Sequence, residues 1–532
     1  MKTIHTKKTM IWTQLILCGL LTLSSCSKKE TEKQIPPDQV TQLSFAVNGI
    51  AEASDAGAAT SSRSAVPVSN TARESQLLDL GGINAMISVT SGPIKAQEIS
   101  TNNSKQRAAN MTNGYKYRVV VLDAATGAVV GSVEAIASST GQQTEAAKID
   151  VVKGGSYKWY AYSYNEAATV TPLLNEANPI FTPSYDKDLL IANGTVLVPG
   201  TAGSGPNTET QVPITFKHAL AKVTVRFDAS SRSDAISALN ATLGSATYFN
   251  KGTVSLNTTD GTLTYTITGQ HNVSSINVTL PGTIASASYY TIPVTPTATA
   301  IPSFKVNVAS LTVGPLSTTN KTVDFTNTIL PVAGKEEIAN INILDVTPIG
   351  TTYWATGNLY YENNTYKIRD EDVIPRPIQS ISQYIKTDGW NWMANLPYPN
   401  VFDQNNLIDP CKKVLPLNTW RMPRRTEFEA LLPLANSSDT YEEKQSFIPT
   451  AATIGYNRFR QNANSKWVQF NFDGNQIAIG GTTGNYWTTD NTKLGNSYFR
   501  AAALYVVHNS DPTVPDQLLS GMYYNIRCVL NR

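Results

Sequence analysis

Residues 253–268, TVSLNTTDGTLTYTIT, can bury their apolar side chains in only one way. Val254 and Leu256 lie two apart, and Leu263, Tyr265 and Ile267 repeat that step on the return. Asp260-Gly261 sits between the two runs and supplies a positive-φ turn. A period of two fills one face of a strand and cannot build a helical stripe. The same signal recurs along the chain. YKYRVVVLD (115–123), the turn AATG and the return AVVGSVEA (128–135) read as a second hairpin. GGSYKWYAYSYN (154–165) carries aromatics at both odd and even positions, as a strand between two packed layers does. Helical periodicity is absent before residue 350. Short strands separated by turn residues predict a mostly β protein built from β-sandwiches.

Ahead of these strands the chain carries a different kind of segment. Lys2, Lys7 and Lys8 precede a run from Ile11 to Leu23 that is mostly apolar and too short to remain as a membrane span. Leu23-Ser24-Ser25-Cys26 closes it and resembles a bacterial lipobox, in which the cysteine is acylated and becomes the first residue of the mature protein. Two or more acyl chains there would hold the protein on a membrane where one would not. The alternative is an ordinary secretory signal with an incidental cysteine. Loss of residues 1–25 removes three lysines and turns the formal charge of +2 into −1. A near-neutral chain with scattered charges has no electrostatic footprint for nucleic acid.

With Cys18 in the leader and Cys26 lipidated, Cys411 and Cys528 are the cysteines that remain. In an exported protein two such thiols read as one disulfide, with two buried free thiols as the alternative. A cysteine-based zinc site is not expected, since neither has a cysteine or histidine at ligand spacing.

The chain is too long for one domain. Its texture predicts a signal over residues 1–25, a polar tether over 26–40, a first sandwich over 41–210 and a second over 211–348. Residues 349–532 are expected to form a separate α+β domain. Tryptophan becomes frequent there (Trp354, Trp390, Trp392, Trp420, Trp467, Trp487), and most of these rings are expected in the core. RRTEFEALLPLA (424–435) is expected to be helical, with Thr426 as N-cap and Phe428, Leu431 and Leu432 on one face. KWVQFNFDGNQIAIGG (466–481) is expected to turn back at Asp473-Gly474.

Two parts of the chain resemble known families. The lipobox, the strand LSFAV (43–47), the small-residue loop containing Arg63, YKWYAYSYN and VPITFKHALAKVTVRFDA (212–229) resemble, in that order, the fimbrillin-like proteins of Bacteroidota. In the family the last of these opens the second domain. The resemblance implies two transthyretin-like β-sandwiches in tandem. It also implies export as an outer-membrane lipoprotein, then cleavage by an arginine- or lysine-directed protease that removes the first strand. A strand from another fimbrial subunit then fills the groove. The implied cleavage sites are Arg63 and, second, Arg73.

YWATGNLYY (353–361), DPCKKVLPLNTWRMPRRTEFEAL (409–431), YWTTD (486–490) and NIRCVL (525–530) resemble the Fibrobacter-type major paralogous domain, a module of C-type-lectin-like fold. That family pairs its two cysteines, in agreement with the disulfide read above. The extra residues between Cys411 and Trp420 imply a lengthened loop. Together the resemblances imply a fimbrial subunit, with the last domain as an adhesive tip that meets a glycan or protein ligand on a host or bacterial surface. A permanently anchored glycan-binding lipoprotein of a nutrient-uptake system is the rival.

Enzymatic chemistry is not expected. The four histidines, His5, His218, His271 and His508, lack a nucleophile-elbow serine to serve. Asp370, Glu371 and Asp372 read as a solvated turn rather than a carboxylate pair or a calcium site. No cofactor is implied, because no phosphate-binding glycine loop stands between a strand and a helix.

Overall fold

The computed structural model describes residues 39–52, 71–72, 75–94, 108–138, 147–200, 209–232, 234–293, 301, 303–369, 387–401, 403–444, 455–472, 474–475, 478–479, 483–494, 497–507, 509–518 and 522–531. They are mostly β.

The first sheet runs from strand Val129–Ile136 through Lys116–Asp123, Ser156–Ser163, Leu190–Leu197 and Thr210–His218 to the leading strand, Val40–Ala51. The far side of the leading strand pairs with Ala147–Val152 along its first half and with Ala108–Ala109 at its end. The sheet curls on itself. A Cβ on Gly131 would come 2.6 Å from Ile149, so strand Val129–Ile136 lies against Ala147–Val152. Inside the curl Leu43, Phe45, Val119, Val121, Trp159, Ile214 and Phe216 share one core. Strand Ser156–Ser163 serves two layers, as its sequence predicts. Tyr157 and Trp159 enter that core, while Tyr160 and Tyr162 pack on the other face with Phe181, Val254 and Leu256.

A second pair of sheets stacks face to face. Strands Ala221–Asp228, Ile284–Thr291, Lys335–Leu344 and Asn84–Pro93 form one, and Ile236–Leu243, Phe304–Val313 and Leu316–Phe325 the other. Val223, Val225, Ile341 and Ile343 meet Phe304, Val306, Val313 and Phe325 between them. The hairpin at 250–270 has the expected turn, with Gly261 at φ +77° and Val254 and Leu256 buried. Ile267, opposite Gly252 and in phase with Leu263 and Tyr265, is nonetheless exposed.

Chain order and sheet membership part company here. Strands Gln76–Asp79 and Asn84–Pro93 fall inside the expected first sandwich yet pair into the second, Asn84–Pro93 against Lys335–Leu344. The stretch 212–229, expected to open the second sandwich, divides between two sheets. Thr210–His218 pairs with the leading strand, and Ala221–Asp228 begins the second sandwich after two residues. Alternation fixes which face of a strand is buried and leaves its partner open.

The terminal part follows without a linker, since Asp345 alone separates Lys335–Leu344 from strand Val346–Ile349. Leu77 and Met86 of the second sandwich pack against the terminal core. Asn84 Nδ2 donates to the Val346 carbonyl at 3.1 Å, and Arg232 bridges Asp345 at 2.9 Å. Trp354, Trp390, Trp392, Trp420 and Trp487 are wholly buried, as the composition predicts.

The helix at 424–435 is shorter than expected. It covers Arg425–Glu429, then gives way to a 3-10 turn at Leu432–Asn436, and Arg424 rather than Thr426 is the N-cap. Glu427 accepts the Arg424 N–H at 2.7 Å and Asp490 accepts that of Arg425 at 2.5 Å, so carboxylates satisfy the first-turn donors without threonine. The hairpin expected at Asp473-Gly474 is also corrected. Val468–Asn471 pairs with Tyr456–Phe459, and Gly474–Asn475, a strand rather than a turn, pairs with Ala478–Ile479.

Candidate functional site

The leading strand is a central strand at the start of the chain. Leu43 to Ala51 run parallel to Thr210–Lys217, and Val40 to Phe45 run antiparallel to Ala147–Val152. Both of its hydrogen-bonding edges are therefore used, and its removal would leave two facing rows of unpaired N–H and C=O groups. Leu43, Phe45 and Ile50 point into the core and are buried, with Val47 packed beside them. Each such side chain contributes about 1.5–3 kcal/mol through area removed from water. Phe45 meets Trp159 edge-on at 5.6 Å between centroids. The Tyr117 hydroxyl donates to the Phe45 carbonyl at 3.3 Å, and burial pushes that phenol up to about 12.

Two local features distinguish this strand. The register shifts by one residue between Val47 and Gly49, and Gly49 takes φ +135°, which favours glycine. The inward step of two at 43, 45 and 47 thus becomes a step of three to Ile50. On the outer face Gln42 is exposed, while Ser44 is only 5% exposed. Ser44 lies opposite both Lys148 and Gln211. Lys148 reaches Glu209 at 3.1 Å, and Glu209 also takes a hydrogen bond from Ser44. Those hydrogen bonds, Ser44 first and Lys148 next, hold the Glu209 carboxyl below its ordinary range. A bridge between the two flanking strands therefore passes over the leading strand at Ser44. Nothing in the sequence pairs 148 with 209; only the strand order does.

In the terminal domain Cys411 and Cys528 form a disulfide with Cα atoms 5.9 Å apart. Next to Cys528 stands Arg527, a residue the sequence reading passed over. Its guanidinium is wholly buried and donates to Asn358 Oδ1 and to the carbonyls of Ala355, Thr356 and Gln469 at 2.6–3.2 Å, with Phe470 under the charge. Burial pushes its pKa down to about 9, still above neutrality. Strand Val529–Leu530 lies between Thr352–Ala355 and Trp420–Arg421. The loop from Cys411 to Trp420 exposes Leu415 and Leu417. Trp467 is the partly exposed tryptophan of the terminal set, with Arg458 and Arg460 at 4.5 and 4.1 Å from its ring centroid.

Cys26, Arg63 and Arg73 lie outside the described residues, as do His5, His508 and 370–372. Strands on either side of Arg73, Thr71–Ala72 and Gln76–Asp79, both pair with Asn84–Pro93. His218 is buried and bonds Asp188 at 2.7 Å. Among the described residues, no three His, Cys, Asp or Glu side chains gather as a metal site.

No family model matches the chain, and no curated protein matches it. Solved structures give distant likenesses. A candidate cell adhesion protein from Bacteroides fragilis is 14% identical over 47% of this chain and 88% of that one, with a TM-score of 0.30. One from Bacteroides ovatus is 17% identical over 46% and 88%, with a TM-score of 0.30. The tip fimbrial protein Mfa3 from Porphyromonas gingivalis, with C-terminal truncation, is 12% identical over 44% and 91%, with a TM-score of 0.27. Identities and scores this low do not establish a shared fold.

Proposed function

We propose that the protein is an exported surface lipoprotein that becomes a fimbrial subunit, assembled by exchange of its leading strand, with the terminal domain as an adhesive tip. The observation that carries this reading is the position of Val40–Ala51. The strand is the first of the described strands and pairs along both edges of a curled sheet. A cut within residues 53–70 would detach it covalently and leave every other strand of that sheet connected. The slot so opened has backbone donors and acceptors on both rims and an apolar floor, a template for strand addition.

Arg63 is the preferred cut. Cleavage after Arg73 would take away Thr71–Ala72, which is paired in the second sandwich. Precursor anchored through acylated Cys26 and mature protein without it are two stages of one pathway. The rival, a permanently anchored glycan-binding lipoprotein, keeps Cys26 and its leading strand throughout.

N-terminal sequencing of surface-assembled protein separates the two readings. A start at Ser64 supports strand exchange; a blocked, lipidated Cys26 supports the anchored form. Replacing Arg63 and Arg73 together by alanine should leave uncut precursor on the cell and abolish incorporation into fibres. Normal fibres built from the double variant would refute the proposal.

A further inference from the structure

We propose that the slot under the leading strand selects its occupant by a sequence pattern, and that the occupant is an extended segment of a different polypeptide carrying that pattern. The inference rests on the strand-exchange reading and adds to it a partner specificity.

Four apolar side chains are required, at the positions of Leu43, Phe45, Val47 and Ile50, because these face the core shared with Trp159, Ile214 and Phe216. Their spacing of two, two and three follows from the one-residue register shift opposite Ile214 and Thr215. Glycine is required at the position of Gly49, which is buried and at φ +135°, where a β-branched side chain is strained. A small side chain is required at the position of Ser44, which is covered by the Lys148–Glu209 bridge joining the two rims. A large side chain there breaks the bridge and loses the Ser44–Glu209 hydrogen bond. The bridge is half exposed and contributes modestly, so this position discriminates less than Gly49.

In this chain the full pattern occurs at Leu43–Ile50 and nowhere else; Leu263–Gln270 comes nearest and ends on glutamine where the last apolar residue belongs. The remainder of the chain after a cut therefore cannot supply the occupant for another copy. A different subunit must.

The test uses the full chain cut after Arg63 with both pieces retained, and fluorescent peptides spanning residues 40–52. The native peptide should displace the resident strand, and an Asn48→Ala peptide, changed at an exposed position, should equal it. The Gly49→Val peptide should be captured at least tenfold less and the Ser44→Phe peptide about threefold less. The Ser44→Phe deficit should vanish when the cut chain carries Lys148→Ala and Glu209→Ala. Equal capture of native and Gly49→Val peptides overturns the pattern while leaving strand exchange intact. An undiminished Ser44→Phe deficit in the bridge-less chain overturns the role of the bridge. Capture of no peptide at all defeats the strand-exchange reading, and this proposal with it. Melting of the uncut chain supplies a second readout: Gly49→Val should lower its midpoint and Asn48→Ala should not, and equal midpoints for both would overturn the requirement for glycine.

Discussion

Arg527 shows how one residue organises the terminal domain. The cation is held by carbonyl and amide oxygens from two separate stretches of chain, 355–358 and 469. Its flexible stem would cost entropy anywhere else, but here the planar fork meets fixed acceptors. Arg527→Met keeps the apolar stem and leaves those oxygens buried without a donor. Stability should fall by about 3–5 kcal/mol, the range for stripping one partner from a buried charged network. Urea unfolding monitored by tryptophan fluorescence checks this, since five buried indoles report on that core. An unchanged midpoint would mean that water replaces the guanidinium without loss.

At the scale of elements, the short helix Arg425–Glu429 depends on carboxylates more than on its own length. Five residues cannot hold a helix by propensity. Glu427 caps the Arg424 N–H and pairs with Arg421 through two contacts of 2.6 and 2.7 Å. Burial alone would push the Glu427 carboxyl up; the Arg421 hydrogen bonds and charge outweigh it and hold it below the ordinary value of 4.5. The sign follows from linkage. A depressed native pKa contributes stability that is complete above 4.5 and is lost as pH falls through the lower native value. Glu427→Gln should therefore cost about 2 kcal/mol at pH 7, and the gap from the parent protein should close as pH is lowered towards 2. Thermal melting at both pH values measures it, and a gap that stays constant with pH would contradict the ionic origin.

For the whole molecule, the terminal domain and the second sandwich are coupled without a linker, and the last described strand is locked inside the terminal sheet. The disulfide adds a clamp between Cys411 and Cys528, 117 residues apart. By the chain-entropy model a loop of that length is worth about 4–5 kcal/mol as an upper figure. Free-thiol labelling of folded protein should leave both cysteines unmodified. Changing both to serine should lower the melting midpoint of the terminal domain. Strand Val529–Leu530 cannot leave to fill a neighbour's slot without opening the sheet between Thr352–Ala355 and Trp420–Arg421. On the proposed strand-exchange reading, a subunit that accepts a strand at the leading-strand slot and keeps Val529–Leu530 locked would end a fibre. Immunogold against the terminal domain should mark one end of each fibre; regular spacing along the shaft would make the protein a stalk subunit.

The sequence by itself determined the local choices, because those depend on neighbours along the chain. Alternation fixed the strand at 156–163 and its two buried faces, Asp260-Gly261 fixed a turn, and tryptophan density marked the terminal core. Chain-local signals also misled where a distant group intervened. Glu427 and Asp490 satisfy the N–H groups of Arg424 and Arg425, so the helix starts ahead of Thr426, and Gly474–Asn475 pairs as a strand with Ala478–Ile479 where the local signal read a turn. Tertiary structure alone decided which strands are neighbours. It placed 76–93 in the second sandwich and 210–218 beside the leading strand. It brought Lys148 and Glu209 together over Ser44, and buried Arg527 among carbonyls. Sheet pairing joins backbone groups that every residue carries, so a sequence specifies the face of a strand far more tightly than its partner. The slot exists only once those partners are set.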